Sequence, residues 1–118
     1  MKEIKRIEVD ESWADSTIID TGDYVFVGYC MGNEGQDIKQ QIDGAFATLE
    51  DRLSKVGLNL ESVVKMDCLF KDINDLNLLP EIIKKRFHGK YPVRKAFTSE
   101  FIREGVKFQI DAIAYRNH

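Results

Sequence analysis

The 118 residues suit one domain spanning 1–118, and 43% hydrophobic against 31% charged residues can build a core, which excludes a disordered tail. A formal charge of −3 does not favour a general nucleic-acid binder, whose affinity draws on many cationic contacts, and makes nucleic acid a minor reading. No apolar run nears the roughly 20 residues of a membrane span, so no membrane partner is expected.

The opening Met1-Lys2-Glu3-Ile4-Lys5-Arg6 lacks the apolar region of a signal peptide, so the expected address is cytoplasmic. There Cys30 and Cys68 stay reduced, and as a separated pair they give no zinc motif. Of the two histidines, His88 sits at a helix end and His118 closes the sequence, and neither has ligand spacing.

In chain order, Ile4 to Val9 predicts a first strand and Thr17 to Asp20 a second. Thr21-Gly22-Asp23 then turns into a third at Tyr24 to Cys30. Tyr24-Val25-Phe26-Val27 shows no polar alternation, so both of its faces are expected to be covered.

From Asp37 to Val56, Ile38, Ile42, Ala45, Leu49, Leu53 and Val56 recur at helical steps along one face. Asp37 with Gln40 forms a capping-box pattern, and Gly57 tolerates the positive φ of a C-terminal stop. Ser62 to Phe70 predicts a fourth strand, with Val64, Met66, Cys68 and Phe70 on one face and Lys65 and Asp67 on the other. A second helix includes Glu81 to Phe87, with Pro80 in its first turn and Gly89 at its end.

Val93 to Phe101 and Val106 to Tyr115 predict a closing hairpin joined through Ile102-Arg103-Glu104-Gly105. If Phe101 pairs with Val106, Phe97, Phe101, Val106, Phe108 and Ile110 share an apolar face, and Lys95 points the same way. Arg94 and Asp111 then meet on the opposite face. The two helices each need an apolar partner, which predicts an α+β fold with a mixed β-sheet and both helices packed on one face. The other face calls for a second copy of the chain, since most soluble oligomers are symmetric.

Four stretches carry a resemblance. They are Gly22-Asp23-Tyr24-Val25-Phe26-Val27, Asn59-Leu60-Glu61-Ser62-Val63-Val64-Lys65, Phe87-x-x-x-Tyr91-Pro92-Val93-Arg94 and Ile110-Asp111-Ala112-Ile113-Ala114. In this order and at this length they resemble the Rid/YjgF family. The resemblance implies a chorismate-mutase-like fold and a homotrimer whose sheets form a central barrel, with ligand clefts between subunits. It implies a 2-imino/enamino acid deaminase that hydrolyses reactive imines to 2-oxo acids and ammonia without a cofactor.

Such chemistry needs a fixed cation for the substrate carboxylate and a positioned water near the imine carbon. Arg94 occupies the family's Pro-x-Arg position, and its planar fork suits a carboxylate. Asp111 stands where catalytic members carry a glutamate, one methylene longer. Catalytic roles are therefore expected for Arg94 and Asp111, and substrate contacts for Arg94, Tyr29, Cys30, Lys95 and Ala96. Trp13-Ala14-Asp15-Ser16 stands where active deaminases carry a tyrosine, and Gly28-Tyr29-Cys30 replaces a Ser-Gly-Gln stretch. Tyr29 is the candidate replacement aromatic.

Three alternatives stand beside this reading. Arg94 could pair internally with Asp111 or Glu100. The chain could be a noncatalytic trimeric binder of small carboxylate metabolites or protein partners. The endoribonuclease activity of some relatives fits poorly with the acidic balance.

Overall fold

The computed structural model of the chain describes residues 3–117, and His118 lies outside them. Strands β1 (Lys5–Asp10), β2 (Asp15–Asp20) and β3 (Tyr24–Cys30) form an antiparallel meander. The β2–β3 turn closes with Thr21 N–H donating to Tyr24 O at 2.9 Å, and Gly22 takes a φ of 100° that a side chain would resist.

Helix α1 (Ile38–Ser54) starts where its sequence signal lies: the Asp37 carboxylate accepts from Gln40 N–H at 2.9 Å. Gly57, at φ 76°, lets Leu58 N–H return to Leu53 O at 2.9 Å and ends the helix. Strand β4 (Val63–Phe70) leads through a 3-10 turn (Ile73–Leu78) into α2 (Leu79–Phe87), with Pro80 in its first turn. Strands β5 (Val93–Thr98) and β6 (Phe108–Tyr115) complete one six-stranded sheet in the order β1-β2-β3-β6-β4-β5.

Both helices cover one side of this sheet. Ile42, Phe46, Leu49 and Leu53 of α1 and Ile83 and Phe87 of α2 pack over Val25, Met66, Cys68, Phe70, Phe108 and Ile110, all buried. Phe46 joins the layers, 5.8 Å edge-on to Phe87 and 6.4 Å from Phe108. Within α1, Gly44 lies so close to Gly32 that a Cβ on Gly44 would fall 2.7 Å from the Gly32 carbonyl carbon. The chain measures 44 × 38 × 20 Å, a thin slab whose second sheet side is bare. There Tyr24 and Phe26 are 46% and 44% exposed, so the apolar run of β3 is covered on the helix side only.

The closing strands correct the expected hairpin. β5 pairs in parallel with β4, Met66 opposite Arg94 and Cys68 opposite Ala96. β6 runs antiparallel between β4 and β3. The α2 crossover sets β5 beside β4, and residues 99–107 then carry the chain back past β4. The face assignment of β5 is consequently reversed. Arg94, Ala96 and Thr98 share the helix side with Met66, Cys68 and Phe70, whereas Val93, Lys95 and Phe97 lie on the bare side. Arg94 and Asp111 do not share a face, and Phe97, 41% exposed, is not core. In β4, a register shift between Val63 and Lys65 buries Val63 and leaves Val64 exposed.

The 99–107 return is anchored to α1 by buried Gln41. Its Nε2 donates to Gly105 O at 2.8 Å and Gln36 O at 3.0 Å, and its Oε1 accepts from Lys107 N–H at 2.8 Å. Both polar atoms of the buried Gln41 side chain thereby find backbone partners.

Candidate functional site

An isolated glycine inside an apolar strand signals a bulge, and Gly28 in β3 marks one. Val27 pairs with Ala112 and Cys30 with Ile110, so Gly28 and Tyr29 together oppose the single residue Asp111. The extra residue puts Tyr29 at φ 22°, an uncommon value for a residue with a side chain. Its N–H donates to Asp111 Oδ1 at 2.7 Å, leaving the other carboxylate oxygen toward the bare side of the sheet.

Asp111 lines a depression of about 270 Å³ together with Thr17, Phe26, Lys65, Asp67 and Ile113. Asp67 sits directly opposite Asp111 across β4 and β6, a like-charge pairing that disfavours the sheet. Lys65 Nζ, 3.4 Å from both Asp67 carboxylate oxygens, offsets part of that repulsion. Lys95 is the partner of Asp67 on β5, and its ammonium lies 5.7 Å from the Phe97 ring.

Arg94 stands apart from this depression. It is exposed on edge strand β5, on the helix side, beside a hollow of about 180 Å³ formed with Pro80, Ile83, Lys84, Tyr91 and Pro92. Among the described residues it makes no hydrogen bond and no ion pair, with neither Asp111 nor Glu100. The only strand between it and Asp111 is β4; at about 4.8 Å per strand, β5 and β6 lie about 10 Å apart. Arg94 and Asp111 also project to opposite sides.

The other expected contacts divide in the same way. Tyr29 turns to the helix side, where its hydroxyl donates to Asp15 Oδ2 at 2.9 Å and Arg52 lies 5.9 Å from its ring. The Asp15 hydrogen bond, with burial second, holds the phenol above its ordinary pKa. Cys30 is buried in the core and desolvation pushes its thiol up to about 11, against the lowering influence of Arg52. Cys68 is likewise pushed to about 12 by burial. Neither thiol reaches the bare side. Ala96, half-buried, packs against the core beside Arg94. Trp13 is 68% exposed. Among the described residues no three His, Cys, Asp or Glu side chains gather closely enough to hold a metal ion, and no helix is long and apolar enough to cross a membrane.

Arg52, Asp67 and Lys65 were not singled out as site residues by sequence reasoning. Gly28 was a usable signal for the bulge, but nothing in the pattern of α1 marks Arg52, a charged residue on an otherwise charged face.

The family model described as Endoribonuclease L-PSP matches residues 6–116. This chain belongs to the Rid/YjgF family. Among solved structures, a Rid/YjgF protein described as hypothetical, from Streptococcus pyogenes, is 44% identical, with a TM-score of 0.95 and complete coverage of both chains. The human 2-iminobutanoate/2-iminopropanoate deaminase is 31% identical over 83 residues, 70% of this chain and 58% of the human protein. The matched stretch thus spans little more than half of that relative. TdcF of E. coli, solved with bound serine, shares the Rid/YjgF fold at 24% identity and a TM-score of 0.78, covering 86% of this chain and 87% of TdcF.

Proposed function

We propose that the chain hydrolyses small 2-imino acids, or their enamine tautomers, to 2-oxo acids and ammonia at clefts between the copies of a homotrimer. The observation that carries this reading is the Arg94 guanidinium, exposed and without an internal partner among the described residues. An arginine left unpaired on an edge strand is available to a ligand carboxylate, which it can grip through two parallel hydrogen bonds. The name of the human relative supports an imine as that ligand, and serine in TdcF supports a small carboxylate.

Arg94 and Asp111 of one chain cannot both touch so small a molecule, because they face opposite sides of the sheet with β4 between them. A cleft that joins Arg94 of one copy to Asp111 of the next removes the conflict. The bare apolar side supports such an assembly, with the sheets turned inward as a barrel. In that cleft Arg94 holds the carboxylate with Ala96 beside it on the same side of β5, the Gly28-Tyr29-Cys30 main chain forms the facing wall, and Lys95, on the other side of β5, lies away from the carboxylate. Asp111, through the oxygen not bound to Tyr29, orients a water toward the imine carbon. The protonated imine R–C(=NH2+)–COO− takes up that water, the C–N bond breaks, and R–C(=O)–COO− and NH4+ leave. The carbon is already electrophilic, so orientation and local charge suffice, with no cofactor. The reading includes the cytoplasmic address expected from the sequence.

The test couples a threonine or serine dehydratase to this protein and follows 2-oxo acid release. Wild type is expected to accelerate release, and Arg94→Ala to lower kcat/KM about 100-fold, the equivalent of losing two charge-assisted hydrogen bonds. Asp111→Asn keeps an acceptor for Tyr29 N–H and is expected to lower kcat while retaining ligand binding. No acceleration by wild type ends the enzymatic reading.

A noncatalytic binder of small carboxylates has one observation in its favour: the Tyr29 hydroxyl is engaged by Asp15 and so supplies no free phenol. Calorimetric binding of 2-oxobutanoate or pyruvate without turnover selects that second reading.

A further inference from the structure

The β3 bulge is held from the helix side by one residue. Arg52, in the last turn of α1, donates through Nη1 to Gly28 O at 2.7 Å, with longer contacts to Tyr29 O at 3.5 Å and Cys30 Sγ at 3.6 Å. Its guanidinium also lies over the Tyr29 ring. On the opposite side of the same bulge, Tyr29 N–H reaches Asp111. A residue at φ 22° persists only when its surroundings over-determine it, and here the Arg52, Asp15 and Asp111 contacts all converge on Tyr29.

We propose that Arg52 is a positioning residue for Asp111, acting through the bulge without touching the ligand. By fixing the Gly28 carbonyl it fixes the peptide plane whose Tyr29 N–H holds Asp111 Oδ1, and so sets where the free oxygen points. The inference rests on the proposed role of Asp111 for its kinetic consequence, while its structural half stands apart from any activity.

The experiment uses Arg52→Met, which keeps an unbranched apolar chain without donors, and Arg52→Lys, which restores a donor. For 2-imino acid hydrolysis, Arg52→Met is expected to lower kcat about tenfold with KM within twofold, and Arg52→Lys to recover most of the loss. In an Asp111→Asn background Arg52→Met should add little, because both changes interrupt one chain of contacts. Hydrogen exchange supplies the readout independent of turnover: Tyr29 N–H is expected to lose at least tenfold protection in Arg52→Met, while the amides of Met66 and Cys68 keep theirs.

An unchanged kcat, a loss of equal size in the Asp111→Asn background, or a Tyr29 amide as protected as in wild type overturns the proposal. If wild type hydrolyses no imine, the proposed function fails and the exchange at Tyr29 alone decides this inference. If Arg52→Met does not fold, the same measurements on Arg52→Gln, whose shorter uncharged side chain ends short of the Gly28 carbonyl, decide it, with the same losses expected.

Discussion

Asp20 ties three parts of the chain together. Its two oxygens accept from Arg116 Nη1 at 2.8 Å and Nη2 at 3.0 Å, and the same guanidinium reaches Gly22 O at 2.6 Å and Val56 O at 2.7 Å. The end of β6, the β2–β3 turn and the exit of α1 meet at this fork. The Arg116 hydrogen bonds hold the Asp20 carboxyl below its ordinary 3.8. A lowered folded value stabilises the fold fully above the ordinary value, and the contribution fades as pH falls through the lowered one. Asp20→Asn is therefore expected to cost about 1.5–3 kcal/mol at pH 7 in urea unfolding. The gap should narrow below about pH 4 and close at still lower pH. A gap that stays constant from pH 7 to pH 2 contradicts this account.

At the scale of elements, α1 docks against the loop after β3 by a backbone-to-backbone contact at Gly44 and Gly32. Alanine at position 44 would gain about 1 kcal/mol of helix propensity in isolation. The Gly32 backbone, 2.7 Å from where that Cβ would stand, cannot yield as a side chain would, so Gly44→Ala is expected to lose a net 1–3 kcal/mol, roughly, read by chemical unfolding. A neutral or stabilising result would show that the loop moves freely.

Helix boundaries of this kind were legible, because Asp37, Gln40 and Gly57 are local signals with local causes. Strand positions were legible too, within a few residues. Partner choice was not, since a hairpin and a crossover share the same alternation of side chains. One clue was available: β5, Val-Arg-Lys-Ala-Phe-Thr, carries two cations, as edge strands do, whereas β6 carries Ile110, Ala112 and Ala114 in the manner of a central strand. The family motif pointed to Arg94 as the cation of interest while leaving open whether it pairs internally. Its separation from Asp111 did not, because that depends on which strand lies between them.

At the scale of the molecule, a slab 20 Å thick leaves Tyr24, Phe26, Val93 and Phe97 open on one broad side. The proposed homotrimer covers them. Sedimentation is expected to give three times the chain mass, and Phe26→Asp, which leaves the helix-side core untouched, is expected to shift the species toward monomer and abolish imine hydrolysis with it. Monomeric wild type that still turns over would remove the intersubunit cleft. The placement of β6 also bears on how the protein is made. Its residues leave the ribosome after all the other strands of the sheet, yet they fill the gap between β3 and β4, so a nascent chain stalled at residue 107 holds two half-sheets with unpaired inner edges. Such an intermediate is exposed to strand-to-strand aggregation until synthesis delivers β6.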